Sequence, residues 1–161
     1  MRSFIIYFSC VLLLNSCAES NDFSIVPEIE FISLSKSQMI QSDLNRDSLT
    51  LTLSFKDGDG DIGHGPQSSV LNLTLIDKRT NEVFSNYKIP AIPEEGANNG
   101  VKGKIYLKLF STCCIYPNLP VACTPVPGYP TNKLVFEVYM LDRALHKSNV
   151  VTTDTITLLC N

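Results

Sequence analysis

The sequence predicts an all-β fold, a sandwich of short strands. Three observations lead there. Between Glu28 and Cys160, apolar and polar residues alternate in seven short runs. Turn-forming residues punctuate those runs. No stretch beyond the N-terminal segment sustains the period of an amphipathic helix.

The runs follow in order. Residues 28–35 form the first. Residues 47–56 form the second, with Leu49, Leu51, Leu53 and Phe55 on one face and Thr50, Thr52 and Ser54 on the other. This is the period-two pattern of a half-buried strand. Residues 70–76 form the third, and 82–89 the fourth after the polar turn at 77–81. The fifth, 101–110, sets Ile105, Leu107 and Leu109 opposite Lys104, Tyr106 and Lys108. The sixth, 133–141, is rich in β-branched and aromatic residues, and 150–160 is the seventh. Seven strands in about 130 residues suit a seven-stranded immunoglobulin-like β-sandwich.

The N-terminus lies outside this pattern. Arg2 supplies a positive charge, and residues 4–14 are apolar except for Ser9. The run is too short to span a bilayer as a helix. Leu14-Asn15-Ser16-Cys17 follows at once. This quartet resembles the lipobox of bacterial lipoproteins. The resemblance implies a signal peptide over 1–16, cleavage before Cys17 and lipidation of that cysteine. An ordinary signal peptide ending near a cysteine is the plainer alternative. Residues 17–27 then read as the lipidated cysteine and a flexible polar tether, and 28–161 as the sandwich domain. Each buried acyl CH₂ contributes about 0.8 kcal/mol, so several chains on one residue hold firmly. Ala18, with Glu19 and Asp22 close behind, resembles lipoproteins destined for the outer membrane. The expected location is that membrane, on its periplasmic or cell-surface side.

The formal net charge is −3 and the pI about 5.3. No basic stripe is present, so nucleic acid is not an expected partner. Catalytic motifs are missing as well. No G-x-S-x-G, Walker loop or G-x-G-x-x-G joins a strand to a helix. The two histidines, His64 and His146, fall in expected loops near acids. A metal-assisted hydrolase using them is therefore a minor alternative to a protein without catalysis.

The most informative stretch is Asp57-Gly58-Asp59-Gly60-Asp61-Ile62-Gly63, directly after the second run. With Leu51 to Phe55 before it, it resembles the second strand and following loop of immunoglobulin-like domains in bacterial surface lipoproteins. Val138-Tyr139-Met140-Leu141-Asp142-Arg143-Ala144, with Ser148-Asn149, is similar to their sixth strand and next turn. Leu145 and His146 stand where that group often has Gly-Asn, which predicts a turn of different shape. Strand order of this kind puts the loops after the second, fourth and sixth strands at one end, beside the start of the first. Asp57, Asp59 and Asp61 then meet Asp142. Close carboxylates repel, and calcium takes six to eight oxygens in flexible geometry. Calcium is the expected ligand, though the spacing is not that of an EF-hand. A solvated turn neutralised by Arg143 or Lys147 is the alternative.

At the opposite end lies a connection at 111–131 that holds five of the nine prolines. It also carries Cys113, Cys114 and Cys123, while Cys160 ends the last run at the same end. An oxidising compartment favours two bridges. Neighbouring Cys113 and Cys114 cannot comfortably join, so one pairs with Cys123 and the other with Cys160. A four-cysteine zinc site is the alternative, but no C-x-x-C is present. Tyr116 and Tyr129 would give the stapled loop aromatic surface for a partner. The functional expectation is a lipid-anchored envelope module with a binding or structural role. The alternative is an accessory lipoprotein of an outer-membrane uptake or adhesion complex, gripping glycan or protein.

Overall fold

The computed structural model describes residues 23–92 and 100–161. The expected signal peptide, the lipobox and the tether up to Asp22 lie outside the described residues. Within them the chain is all-β, with ten strands in three sheets and no helix. One sheet runs β1 (Glu28–Leu34), β3 (Ser48–Asp57), β6 (Val101–Phe110). A second runs β5 (Glu82–Tyr87), β4 (Leu73–Asp77), β8 (Phe136–Met140), β9 (Val151–Thr152). The third runs β2 (Gln38–Ile40), β10 (Ile156–Leu159), β7 (Thr131–Leu134). All pairings are antiparallel except that of β2 with β10.

Ten strands replace seven for simple reasons. The sixth run is broken at Val135, whose carbonyl accepts Lys78 N. The seventh is broken where Thr153 turns back onto Phe136, accepting Phe136 N on its hydroxyl. Gln38–Ile40 is an added strand too short to show a period. The second and third sheets are therefore continued one into the other by the same two stretches of chain.

The layers face one another across a single core. Leu49, Leu51, Leu53 and Phe55 of β3 meet Leu73 and Leu75 of β4, Phe136, Val138 and Met140 of β8, and Ile156 and Leu158 of β10. This arrangement fits a β-sandwich. The loops sort to its two ends as the strand order predicts. Arg143 N donates to Asp61 O, and His64 bridges Pro90. At the far end Arg79 Nη1 donates to Cys113 O at 3.1 Å.

The bridges are Cys113–Cys123 and Cys114–Cys160. Gln41 reinforces the second, donating to Cys160 O at 2.8 Å and accepting Cys114 N at 3.1 Å. The two bridges close loops of unequal length, with sequence separations of 10 and 46. Chain-entropy arithmetic makes the longer one worth more by about 1 kcal/mol, and its cysteines are also the buried pair. Replacing Cys114 and Cys160 by Ala is expected to lower unfolding free energy more than replacing Cys113 and Cys123. Urea melts of the two double variants check the order.

Candidate metal site at the Asp-Gly loop

The inward parity of β3 does not stop at Phe55. It places Asp57 inside as well, at 0% exposure. β8 behaves alike, since Phe136, Val138 and Met140 are followed on the same parity by Asp142, also 0% exposed. Two strands thus each carry a carboxylate into one end of the core. A buried unpaired carboxylate is costly, so its surroundings decide what it does.

Asp57 Oδ2 accepts Asp61 N at 3.2 Å. Its Oδ1 is buried without a hydrogen-bond partner, and so is Oδ1 of Asp61. Carboxylate oxygens of Asp57, Asp59 and Asp61 lie within 4.8 Å of one another, so the three could hold a metal ion. Burial, a hydrogen bond with Asp59 and the charges of Asp59 and Asp61 push the Asp57 carboxyl up to about 7. Asp61 is raised by burial and by the charges of Asp142 and Asp59.

The glycines explain how the loop fits. A Cβ on Gly58 would sit 2.2 Å from Phe23 O, so only glycine admits the N-terminal segment there. Gly58 N donates to Ser24 O at 2.8 Å. The end of the expected tether is therefore docked on the Asp loop, and Pro27 is buried. Gly63 has φ +80° and its Cβ would meet Pro90 O at 2.1 Å, so the loop is also closed against the strand-to-strand segment before β6.

The loop after β8 closes the other side. Ala144 N donates to Asp61 Oδ2 at 3.0 Å, and Arg143 Nε donates to Asp61 O at 3.1 Å. Leu145 takes φ 69°, the left-handed conformation that glycine favours. The turn at this position thus uses backbone ordinarily given to glycine, with a leucine in that conformation. His146 occupies Asp142: its N–H donates to Oδ1 at 2.7 Å, and its Nδ1 lies 2.8 Å from Oδ2. Asp142 is therefore next to the three aspartates but has both oxygens engaged by His146. The expected neutralisers are turned elsewhere. Arg143 bonds a carbonyl, and Lys147 Nζ sits 3.8 Å from the Tyr139 ring centroid. Among the described residues no Lys or Arg forms an ion pair with Asp57, Asp59 or Asp61.

His64 and His146 belong to separate hydrogen-bond sets. His64 pairs by backbone with Ile89 and Ala91, while the His146 ring rests on Asp142. At the far end, the tyrosines divide. Tyr116 is 4% exposed and donates its hydroxyl to Thr124 O at 3.3 Å. It fills the loop interior rather than offering surface, because the bridge at Cys113–Cys123 folds the loop over it. Tyr129 is 44% exposed and stacks edge-on against Tyr116. One feature of this end was not anticipated from sequence. Arg79 forks onto Asp77 at 2.6 Å, both nearly buried, and also bonds Asn132. The buried parity of Leu73, Leu75 and Asp77 on β4 is the signal that would have found it.

No family model matches this chain, and neither does a curated protein or a solved structure.

The raised carboxyls set a direction for metal-free stability. The folded Asp57 holds its proton up to about 7, whereas the unfolded one releases it near the ordinary aspartate value of 3.8. Between those values the native state binds more protons, so stability falls as pH rises through this window and levels off above it. Melting temperatures taken in chelator across the window are expected to decline with pH. Asp57→Asn should flatten that slope.

Proposed function

We propose that this chain is a lipid-anchored, non-catalytic module of the cell envelope whose anchored end is stiffened by calcium. One observation carries the metal reading. Asp57 is fully buried with an unpartnered oxygen, two further carboxylates converge on it, and no Lys or Arg among the described residues forms an ion pair with the three, although the charge of Arg143 partly offsets that of Asp61. Hard oxygen donors on a glycine-rich loop suit calcium better than a transition metal. Asp57, Asp59 and Asp61 would hold the ion, with Asp142 adding negative charge behind them. When bound, the ion supplies only charge neutralisation and cross-linking of the loop. The protein does the rest. Gly58 fastens the segment at Phe23 and Ser24, while Ala144 and Arg143 hold Asp61 in place.

The immunoglobulin-like reading of the sandwich belongs to the same proposal. Its support is the pairing of the first, second and fifth expected strands in one layer, opposite the third, fourth, sixth and seventh. The oxidising compartment is supported by two disulfides, and the anchor by the lipobox resemblance at Cys17. A binding role for the far end, toward a glycan or protein of the envelope, draws on exposed Leu119, Val121 and Tyr129.

Calcium at a hundred times its dissociation constant would add about 2.7 kcal/mol to the native state. The melting temperature is then expected to rise by roughly 5–10 °C with calcium and to fall in EDTA. Asp57→Asn should abolish the response, and an unchanged melting temperature would remove calcium from the proposal. The anchor is checked separately. Cells fed an alkyne fatty acid should label the full chain but not Cys17→Ala, and the variant should leave the membrane fraction.

A further inference from the structure

The two lateral sides of the sandwich are finished differently. On one side the edge of β1 is capped: Asn149 accepts Ile29 N and donates to Ile29 O, each at 2.9 Å. On the other side β6 ends its sheet with only β3 beside it. Among the described residues, the backbone of β6 is hydrogen-bonded to no other segment. A ten-residue strand thus leaves every second N–H and C=O turned outward.

A groove of about 500 Å³ runs beside this edge, between residues 102–107 and residues 88–92. The far wall does not satisfy the strand. Its backbone is committed to the loop behind it, with Ile89 O accepting His64 N, Ala91 N donating to His64 O and Ile89 N donating to Asn72 Oδ1. The core also opens toward the groove. Leu107 and Leu109 are buried, but Ile105 on the same face is only half-buried. The outer face of β6 carries Lys102, Lys104 and Lys108 around Tyr106, which is 67% exposed. None of these lysines is in an ion pair among the described residues.

We infer that the free edge of β6 receives an extended segment of a partner protein as an added strand, and that this segment alternates carboxylate and apolar side chains. Strand addition supplies main-chain bonds for affinity, while alternate side chains set specificity. Side chains on one face of the added strand lie beside the three lysines and must be acidic to match them. Those on the other face enter the groove beside Ile105 and must be apolar. Lysine on an open edge deters indiscriminate pairing, and the same charge selects an acidic strand. A second copy is a poor occupant, because antiparallel self-pairing about Tyr106 sets Lys104 opposite Lys108. The inference does not depend on calcium or on the lipid anchor.

The test uses a fluorescein-labelled peptide of four Glu-Val repeats and the soluble domain, with and without added calcium, read by fluorescence anisotropy. Saturable binding is expected, with affinity at least tenfold lower in high salt, for a Lys-Val peptide, and for the Lys102→Glu/Lys104→Glu/Lys108→Glu variant. A fully N-methylated Glu-Val peptide should also bind at least tenfold more weakly, since it keeps the charge but cannot pair as a strand. Retained binding of the N-methylated peptide would reduce the site to charge attraction and overturn the proposal. So would no saturable binding by the parent peptide. A sedimentation result showing dimers that do not bind the Glu-Val peptide, and whose formation it competes with, would overturn the proposal and give the edge to a second copy instead.

Discussion

The pairing of β3 with β6 organises the rest of the molecule. Its register is continuous from Ser48 opposite Phe110 to Asp57 opposite Val101. A slip of one residue would turn Leu49, Leu51, Leu53 and Phe55 out to solvent, so burial itself locks the alignment. That alignment decides where each end of the ladder delivers the chain. One end releases β3 into the aspartate loop. The other releases β6 into the stapled loop. Because the fourth expected strand turns back onto the third, as β5 on β4, β6 is left at the border of its sheet.

The two ends solve the same problem by different chemistry. Irregular backbone must cover the open end of an apolar core. At the cysteine end the cover is covalent, and the nearly buried charges of Arg79 and Asp77 are matched to each other. At the aspartate end the cover is held by hydrogen bonds between three segments, while two strands push carboxylates into it. Asp142 is answered by His146. Asp57 is answered by no basic side chain among the described residues, and its raised carboxyl follows from burial and from the acids beside it.

The strands with clean alternation were legible in the sequence, because a half-buried sheet imposes its parity on side chains. β6 was read with its bounds unchanged, and β1 and β3 to within a residue or so. The interruptions were not legible. Leu134, Val135 and Phe136 are apolar in a row and residues 152–155 are polar in a row, so neither stretch locates a break by period, and what breaks the strands there is a hydrogen bond with a distant segment. β2 escaped because its partner, β10, is remote in sequence and the strand is three residues long. In the candidate site the acids are visible as residues, and parity counted past Phe55 and Met140 places both Asp57 and Asp142 facing inward. The occupation of Asp142 by His146 and the disposal of Tyr116 inside its loop depend on turn geometry, which residue spacing does not encode.

The docking of Ser24 on Gly58 has a mechanical meaning. A force applied between Phe23 and the stapled loop at the opposite end runs along the axis of the sandwich. The hydrogen bonds between β1 and β3 lie across that axis. They are therefore loaded in shear and must yield together, rather than opening one at a time as a zipper would. A module built this way resists extension best along the line joining Phe23 to the stapled loop.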